Sequence, residues 1–501
     1  MGLDEEKDLI NIAAKKAGWK SSEIAAFFIT RRSIDARKKS DIKLVFSVEL
    51  SKSRESKAQR VIKTIKKSFD YPPIVVGFGP AGIFAAHTLA LSGANPVVIE
   101  RGDNVDARRS KVASFWQNGE LCVESNVQFG EGGAGAFSDG KLNTGTGDNE
   151  RQKYVLNTLI NFGAPKNIEY DNKPHIGTDK LGNVVKAMRE DIIARGGKVY
   201  FNTKVTDIIA TKEGVKVICG DKEYVTRHLI LALGHSARDT HRMLHDRGFE
   251  MEAKAFAVGM RIEHLQKDID RAMYGESAGH PALGSADYKL VKHTGYGGVY
   301  SFCMCPGGYV IASSSENGTV VTNGMSNNKR DGINANSAIL AGVTPKDFGE
   351  GLFDGLKYQE ALERKAYDSG GGGFYAPCQL LGDFLKGRQS ASFGKIQPTY
   401  KPGTRFSRLD NLFGAKISNA FREAFVGFDN SIRGFSAPDA VLTGVETRSS
   451  SSLRVLRGED YASVSSKYVF PCGEGCGYAG GIMSSAVDGM RIAEKIIDNM
   501  Q

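Results

Sequence analysis

The chain has 501 residues, of which 41% are hydrophobic and 25% are charged. This length is more than a single hydrophobic core fills, so two or three domains are expected. No run of about 18 apolar residues occurs, so a membrane-spanning helix is not expected. The N-terminus is acidic and lacks the apolar segment of a signal peptide. The seven cysteines show no disulfide or zinc-finger spacing, which favours a reduced cytoplasmic location and no metal site.

The net charge of +9 lies mostly at the N-terminal end of the chain. Residues 1–70 carry 17 Lys or Arg against 10 Asp or Glu, a balance of +7. Their pattern predicts a small basic α+β module with a helix over 9–17 and strands at 25–29 and 44–50. The basic run at 31–39, between the strands, is interpreted as a solvated turn. A docking surface for an acidic partner or RNA is the alternative, so nucleic-acid binding stays open for this module.

A βαβ unit follows the N-terminal module. An apolar strand runs into the turn Gly77-Phe78-Gly79-Pro80-Ala81-Gly82, and a helix and a second strand ending in Glu100 come next. Gly77 permits the tight turn, Gly79 lets the backbone approach a pyrophosphate, and Gly82 lets the helix pack closely on the sheet. A carboxylate at Glu100 would bind ribose hydroxyls and repel a 2′-phosphate. The unit therefore predicts a site for FAD or NAD rather than NADP.

The C-terminal end of the chain indicates which of the two cofactors, FAD or NAD, the site binds. A strand that starts at residue 468 ends in Gly473-Glu474, and a glycine loop and a helix from about Ile482 follow. An acidic residue at such a strand end can hold a ribityl hydroxyl, and the glycines let a flavin ring lie against the backbone. The helix N-terminus offers partial positive charge where negative charge builds up on flavin reduction. These features favour FAD.

The glycine turn, the apolar strand at 229–234 and Gly473-Glu474 together resemble the glutathione-reductase-type FAD/NAD(P)-binding superfamily. More narrowly, the chain resembles, along essentially its whole length, a bacterial family of uncharacterised FAD-dependent dehydrogenases. Superfamily members often have Asp where Glu474 stands. The resemblance implies FAD but no particular substrate. The segments that carry the narrower match are RRSIDARK at 31–38, GGAGAFSDGKL at 132–142, FCMCPGG at 302–308, GVETR at 444–448 and GEG at 473–475.

The glycine-rich loop at 130–147 corresponds, by this resemblance, to a loop that lies over the flavin and the pyrophosphate. A plain flexible surface loop is the alternative. The predicted cofactor-binding residues from all segments are Gly77, Gly79, Pro80, Ala81, Gly82, Glu100, Arg101, Gly133, Gly135, Ser138, Asp139, Lys141, Gly234, Gly473, Glu474, Gly480, Gly481 and Ile482.

The candidates for catalytic residues are Cys303, Cys305, His235 and Lys141. Cys303 and Cys305 are separated by one residue, which is a poor spacing for an easy disulfide. Buried, inert thiols are the favoured interpretation for all the cysteines. A structural role is likewise the default for His235 and His293.

The expected fold is α/β, with a three-layer Rossmann-type FAD-binding domain around a parallel sheet at 71–250 and 465–501. An inserted α+β substrate or cap domain is expected at 251–464. The expected function is that of an FAD-dependent oxidoreductase, a dehydrogenase or reductase, which transfers hydride through flavin N5 to or from a small organic substrate, with NAD(P)H as a transient visitor. The alternatives are an FAD-binding protein of RNA modification and a non-catalytic flavin redox sensor.

Overall fold

The computed structural model describes residues 1–53, 60–66 and 68–500, so residues 54–59 and 67 of the predicted N-terminal module lie outside the described residues. Short 3-10 turns occur at Glu5–Asp8, Ser21–Glu23, Ala134–Phe137, Lys166–Glu169 and Gly275–Ser277. The helices are α1 Leu9–Ala17, α2 Pro80–Leu91, α3 Val105–Asn118, α4 Asn149–Asn161, α5 Thr178–Ala194, α6 Arg238–Asp246, α7 Gln266–Tyr274, α8 Pro345–Phe348, α9 Asp354–Ser369, α10 Leu381–Leu385, α11 Asp410–Asp429 and α12 Ile482–Asp498. The strands are β1 Ala26–Asp35, β2 Lys43–Ser51, β3 Ile74–Val76, β4 Val97–Ile99, β5 Lys198–Tyr200, β6 Asp207–Ala210, β7 Val215–Cys219, β8 Lys222–Thr226, β9 Leu229–Leu231, β10 Met251–Ala253, β11 Phe256–Leu265, β12 Val291–His293, β13 Gly298–Cys305, β14 Gly308–Ala312, β15 Thr322–Ser326, β16 Asn334–Val343, β17 Ala376–Leu380, β18 Thr404–Phe406, β19 Val441–Glu446, β20 Leu453–Val455 and β21 Val469–Pro471.

The N-terminal module consists of helix α1 followed by the antiparallel hairpin β1–β2. The prediction of a solvated basic turn at 31–39 is wrong for its first half, because β1 continues to Asp35 and pairs with β2 there. Arg31 donates to Asn172 Oδ1 at 2.8 Å, and Arg32 donates to the Ala282 carbonyl at 2.8 Å and pairs with Glu6. These two arginines therefore fasten the hairpin to the rest of the chain.

Five parallel strands form one sheet, in the order β21-β9-β3-β4-β5. Successive side chains of a strand point to opposite faces, and all residues of β21, β9, β3 and β4 are buried, whereas Lys198 of the edge strand β5 is exposed. Val75 of β3 packs with α2, α5 and α12 on one face. Ile74 and Val76 pack on the other face with the small antiparallel sheet β6–β8. The chain thus folds as a mixed α/β structure with a parallel sheet between a helical layer and a β layer.

The inserted region is built on a seven-stranded mixed sheet, in the order β12-β13-β16-β11-β19-β17-β18. Its central strands β11 and β16 are buried along nearly their whole length, because α7, α9 and α11 contribute to the same core. The separate hairpin β14–β15 and the pair β10–β20 complete this region. No helix in the described part of the chain is both long and apolar enough to cross a membrane.

Candidate cofactor and substrate site

A cavity opens at the carboxyl ends of the parallel strands, the edge at which α/β sheets bind ligands. Its volume is about 1810 Å³, a value that includes the part open to solvent. We call the part of its wall formed by the glycine turn, the loop at 129–141 and the C-terminal glycine loop the nucleotide side. The cap side is the part contributed by the inserted region, and its residues are Phe302, Cys303, Asn323, Glu446, Arg448 and Ser449.

The glycine turn has two glycines that the fold requires and one that faces the cavity. Gly77 has φ 95°, and a Cβ there would lie 2.3 Å from the Ala232 carbonyl oxygen. A Cβ at Gly82 would lie 1.9 Å from the Gly77 carbonyl oxygen. At Gly79, by contrast, a Cβ would meet only the backbone of Gly133, with Cα at 3.6 Å and N at 4.0 Å. The turn therefore brings bare backbone to the cavity at the N-terminus of α2, where free N–H groups suit an anion.

Glu100 follows β4 and is 5% exposed, and its carboxylate organises the backbone of the nucleotide side. It accepts hydrogen bonds from Phe78 N at 2.8 Å and from Gly102 N and Gly130 N at 2.9 Å each. Oε1 takes two of these bonds and Oε2 takes one. A carboxylate has about four acceptor sites, so one remains on Oε2 for a hydroxyl group.

The C-terminal glycine loop leaves open space beside the cavity. A Cβ at Gly480 or Gly481 would meet no atom within 4 Å, and both residues line the cavity with Ile482, the first residue of α12. Glu474 lies 3.2 Å from His235 Nδ1, and His235 Nε2 is buried without a partner among the described residues. These bare backbone faces and the unpaired Nε2 suit a bulky polar ligand, so the residues present fit FAD.

Asp139 and Lys141 fasten the glycine-rich loop to the inserted region. Asp139 is fully buried, accepts from Ser326 Oγ at 2.7 Å and pairs with Lys141 at 2.9 Å and with Arg330. Burial favours the neutral acid, but the charges of Lys141 and Arg330 outweigh it and hold the pKa of Asp139 well below its usual range. Lys141 Nζ also donates to the Met304 carbonyl. The loop is therefore anchored through buried charges, which argues against the flexible alternative for this part of it.

Arg261 of β11 is fully buried and holds the cap side together. Its guanidinium binds Glu446 at 2.5 Å, the Cys303 carbonyl at 2.8 Å and Asn323 Oδ1 at 2.9 Å. These three partners come from β19, β13 and β15, and all three line the cavity. The planar fork of an arginine can fix several acceptors at once, so Arg261 sets the geometry of the cap side.

The cap side contains groups whose protonation is shifted from the usual. Burial raises the pKa of Glu446 to about 7 although Arg261 opposes the shift. A hydrogen bond from Cys305 lowers the pKa of the Cys303 thiol well below its ordinary value, and the charges of Lys141 and Arg261 add to that effect. Cavity residues with perturbed pKa values are candidates for proton transfer or nucleophilic chemistry.

A second buried network reaches the cavity through Arg448. Glu363 of α9 is fully buried and binds Arg238 at 2.8 Å and Arg448 at 2.9 Å. Arg448 also donates to Ser236 Oγ at 3.2 Å and Ser315 Oγ at 2.5 Å. Burial disfavours the charge of Glu363, but the two guanidinium groups prevail and hold its pKa well below its usual range. Glu363 therefore links α6 and α9 to the cap side.

Comparison with known proteins identifies the family. A family model described as FAD-dependent protein, C-terminal domain-like, matches residues 255–449, and a domain of unknown function matches residues 3–51. An uncharacterised protein of Clostridium beijerinckii is 45% identical over 520 residues, which cover 99% of this chain and 97% of that protein. The chain belongs to this family of FAD-dependent proteins. FAD is its cofactor, as the sequence predicted, whereas membership of the glutathione-reductase-type superfamily stays a prediction.

Solved structures show only distant likeness. The halogenase PltM, in complex with phloroglucinol and FAD, is 12% identical, with 86% of this chain and 70% of that chain covered and a TM-score of 0.40. The glycine oxidase of Bacillus cereus is 11% identical, with 86% and 96% covered and a TM-score of 0.34. The aromatic hydroxylase CabE is 11% identical, with 86% and 62% covered and a TM-score of 0.35. These values are too low to bear on function.

The cavity brings together most of the predicted site residues, although their contacts with FAD stay predictions. Gly82, Gly473 and Cys305 do not line it, because Gly82 packs inside the turn and Gly473 N is bonded to Asp488. Five cysteines are buried as expected, whereas Cys122 and Cys303 are partly exposed. The predicted residues that line the cavity are Gly77, Gly79, Pro80, Ala81, Glu100, Arg101, Gly133, Gly135, Ser138, Asp139, Lys141, Gly234, His235, Cys303, Glu474, Gly480, Gly481 and Ile482.

The sequence did not single out Arg261, Asn323 or Glu363, and it gave no role to Glu446 and Arg448, which stand in the GVETR segment. Glu446 and Arg448 could have been found from the GVETR segment, because charged residues next to an apolar strand need a buried partner. Nothing in the local pattern pointed to the other three. Among the described residues, no group of three or more His, Cys, Asp or Glu side chains is placed to hold a metal ion.

Proposed function

We propose that the protein is an oxidoreductase in which a small organic substrate reaches bound FAD from the cap side of the cavity. One observation carries this proposal. The same cavity that exposes the glycine turn also exposes Cys303, Asn323 and Glu446, which Arg261 holds in place. The chemistry that FAD supplies when bound is hydride transfer at flavin N5.

On the nucleotide side, the residues bind FAD and orient it in this proposal. The N-terminus of α2 and the close approach of Gly79 to Gly133 suit a pyrophosphate. The remaining acceptor site of Glu100 suits a ribose hydroxyl. At the C-terminal loop, Glu474 and the α12 N-terminus face the cavity, where they offer an acceptor and a partial positive charge.

On the cap side, Glu446 is the residue best suited to move a proton. With a pKa of about 7 it is populated both as acid and as carboxylate near neutral pH. Arg261 fixes both of its oxygens, so the proton is given or taken at a defined position. Glu446 is 4% exposed and Arg261 is fully buried, so little bulk water reaches this pair.

The hydride donor or acceptor is proposed to be a small molecule that visits the cavity. The sequence shows no second glycine fingerprint between Gly234 and Lys467, so a permanent NAD(P)H domain is not proposed. NADH or NADPH would then react as a transient visitor, or an organic metabolite would exchange hydride directly.

The proposal is tested by anaerobic addition of NADH, NADPH and a panel of small alcohols, amines and hydroxy acids to the FAD-loaded protein. We expect at least one compound to bleach the flavin absorbance band, and Glu446→Gln to slow that bleaching with retained FAD. If only dithionite bleaches the flavin, the protein is a flavin-binding sensor or scaffold instead. If Glu446→Gln bleaches at the wild-type rate at every pH tested, Glu446 takes no part in the proton transfer.

A further inference from the structure

Strand β13 ends in two thiols that lie at a break in the sheet. The register of β13 with β16 shifts between Phe302 and Cys305, so β13 carries a bulge at this point. Cys303 has φ 42°, which is rare for a residue with a side chain. It is partly exposed and lines the cavity, whereas Cys305 is fully buried behind it. The bulge thus presents the Cys303 thiol to the cavity, whereas the Cys305 thiol stays buried.

The bulge also changes the spacing of the pair. In a regular strand, alternate residues lie about 6.6 Å apart, near the upper limit that a disulfide spans. Here the bulge departs from that regular spacing, and the interaction between the two thiols raises the pKa of Cys305 and lowers that of Cys303. Cys305 Sγ also lies 3.2 Å from the Cys303 carbonyl oxygen. The regular-strand spacing that makes a disulfide between Cys303 and Cys305 difficult is therefore absent at this point of β13.

The charged groups around Cys303 favour an anion at its sulfur. The positive charges of Lys141 and Arg261 lower the pKa of Cys303, and the negative charge of Asp139 raises it. Both cations are positioned by buried partners, Lys141 by Asp139 and Arg261 by Glu446. A thiolate is the nucleophilic form of cysteine, and such electropositive, partly exposed sites are where reactive cysteines occur. The four other buried cysteines provide a contrast, since burial raises the pKa values of Cys219, Cys378, Cys472 and Cys476.

We propose that Cys303 is a nucleophilic thiolate and Cys305 its resolving thiol, and that the pair exchanges with small organic disulfides that enter the cavity. A disulfide is favoured over a carbon electrophile because the second, buried thiol has a use only when the first adduct is a mixed disulfide. This inference goes beyond the proposed hydride transfer and does not depend on it.

The reaction proceeds in two exchanges. In the first, Cys303 Sγ attacks one sulfur of R–S–S–R, a protein–substrate S–S bond forms, the R–S–S–R bond breaks, and RS⁻ leaves and takes up a proton. In the second, Cys305 gives its proton to solvent and attacks Cys303 Sγ, so the Sγ–Sγ bond forms, the mixed disulfide breaks, and a second RS⁻ leaves and takes up a proton. The protein dithiol is oxidised by two electrons, and the organic disulfide is reduced to two thiols.

The test uses FAD-loaded protein that carries Cys122→Ser, so that Cys303 is the one partly exposed cysteine left. The probe is 2,2′-dithiodipyridine, and the readouts are released thiopyridone and a peptide map. In this reference protein we expect two equivalents of thiopyridone per chain and a 303–305 disulfide. With Cys305→Ser added, we expect one equivalent and a stable adduct on Cys303. With Cys303→Ser added, release slows at least about tenfold.

Retained flavin absorbance shows that each variant keeps its cavity. If a variant does not fold, the reference protein still decides, because its peptide map must show the 303–305 disulfide. Labelling elsewhere, release of only one equivalent with the adduct left on Cys303, or Cys303→Ser reacting at the reference rate would each overturn the proposal. Failure of NAD(P)H or metabolites to bleach the flavin would contradict the proposed function and leave this result untouched, since the exchange is read from sulfur.

Discussion

The substitution Gly480→Val separates the cofactor site from the fold. A Cβ at Gly480 meets no protein atom within 4 Å, and its φ lies outside the left-handed region, so the polypeptide itself tolerates a side chain. The residue lines the cavity. A valine there fills space that FAD is proposed to occupy, and overpacking of this kind costs about 1–3 kcal/mol. We therefore expect FAD affinity to fall roughly 5- to 150-fold.

The assay is FAD binding to deflavinated protein, followed by quenching of flavin fluorescence, together with urea denaturation of the apoprotein. Gly342→Val is the matched control, because Gly342 of β16 is exposed, lacks any atom within 4 Å of its Cβ position and lies away from the cavity. Both apoproteins should unfold within about 0.5 kcal/mol of wild type. Unchanged FAD affinity in Gly480→Val would refute the placement of FAD along the C-terminal glycine loop. Gly82→Val would not serve here, since its side chain collides with the Gly77 carbonyl inside the turn.

Three further substitutions test the buried charges. Glu100→Gln cannot accept all three backbone N–H bonds that Glu100 now accepts, so we expect a loss of about 1–3 kcal/mol in unfolding free energy and weaker FAD binding. Glu363→Ala leaves Arg448 buried without a carboxylate and Arg238 with Glu316 as its remaining carboxylate, and urea denaturation should show a loss of about 3–5 kcal/mol. Glu446 has a raised pKa in the folded state, so its contribution to stability is present at low pH and is lost as pH rises through about 7. In Glu446→Gln, urea denaturation from pH 5 to 8 should show a flatter pH dependence.

Each of these expectations has a result that contradicts it. Wild-type stability of Glu100→Gln would mean that another acceptor satisfies the glycine backbone. Wild-type stability of Glu363→Ala would mean that water reaches both guanidinium groups. An unchanged pH slope in Glu446→Gln would assign the titration to another group.

The nucleotide side could be read from the sequence because its determinants are local. The turn at 77–82, the start of α2 and the position of Glu100 depend on residues that are neighbours in the chain, and backbone sterics fix their geometry. Even there, the three hydrogen bonds from Phe78, Gly102 and Gly130 to Glu100 were not expected, since one of them spans 30 residues.

The cap side could not be read in this way because it is assembled by strand pairing. Arg261 meets Cys303 across 42 residues and Glu446 across 185 residues of sequence. Hydrophobic periodicity shows which face of a strand is buried, but not which strands are neighbours. The exposure of Cys303 depends on a one-residue register shift, and a period-two pattern carries no signal for such a bulge. The basic run at 31–39 was misread for a related reason, as the partners of Arg31 and Arg32 lie far along the chain.

The central claim is that one cavity holds FAD against the glycine turn and presents its reactive ring to the cap side. A crystal structure of the FAD-loaded protein tests this most directly. We expect the pyrophosphate at the N-terminus of α2 beside Gly79, and the flavin ring between the C-terminal glycine loop and the wall formed by Cys303 and Glu446. Electron density for FAD that lies outside this cavity, or a flavin ring turned away from Cys303 and Glu446, would contradict the account.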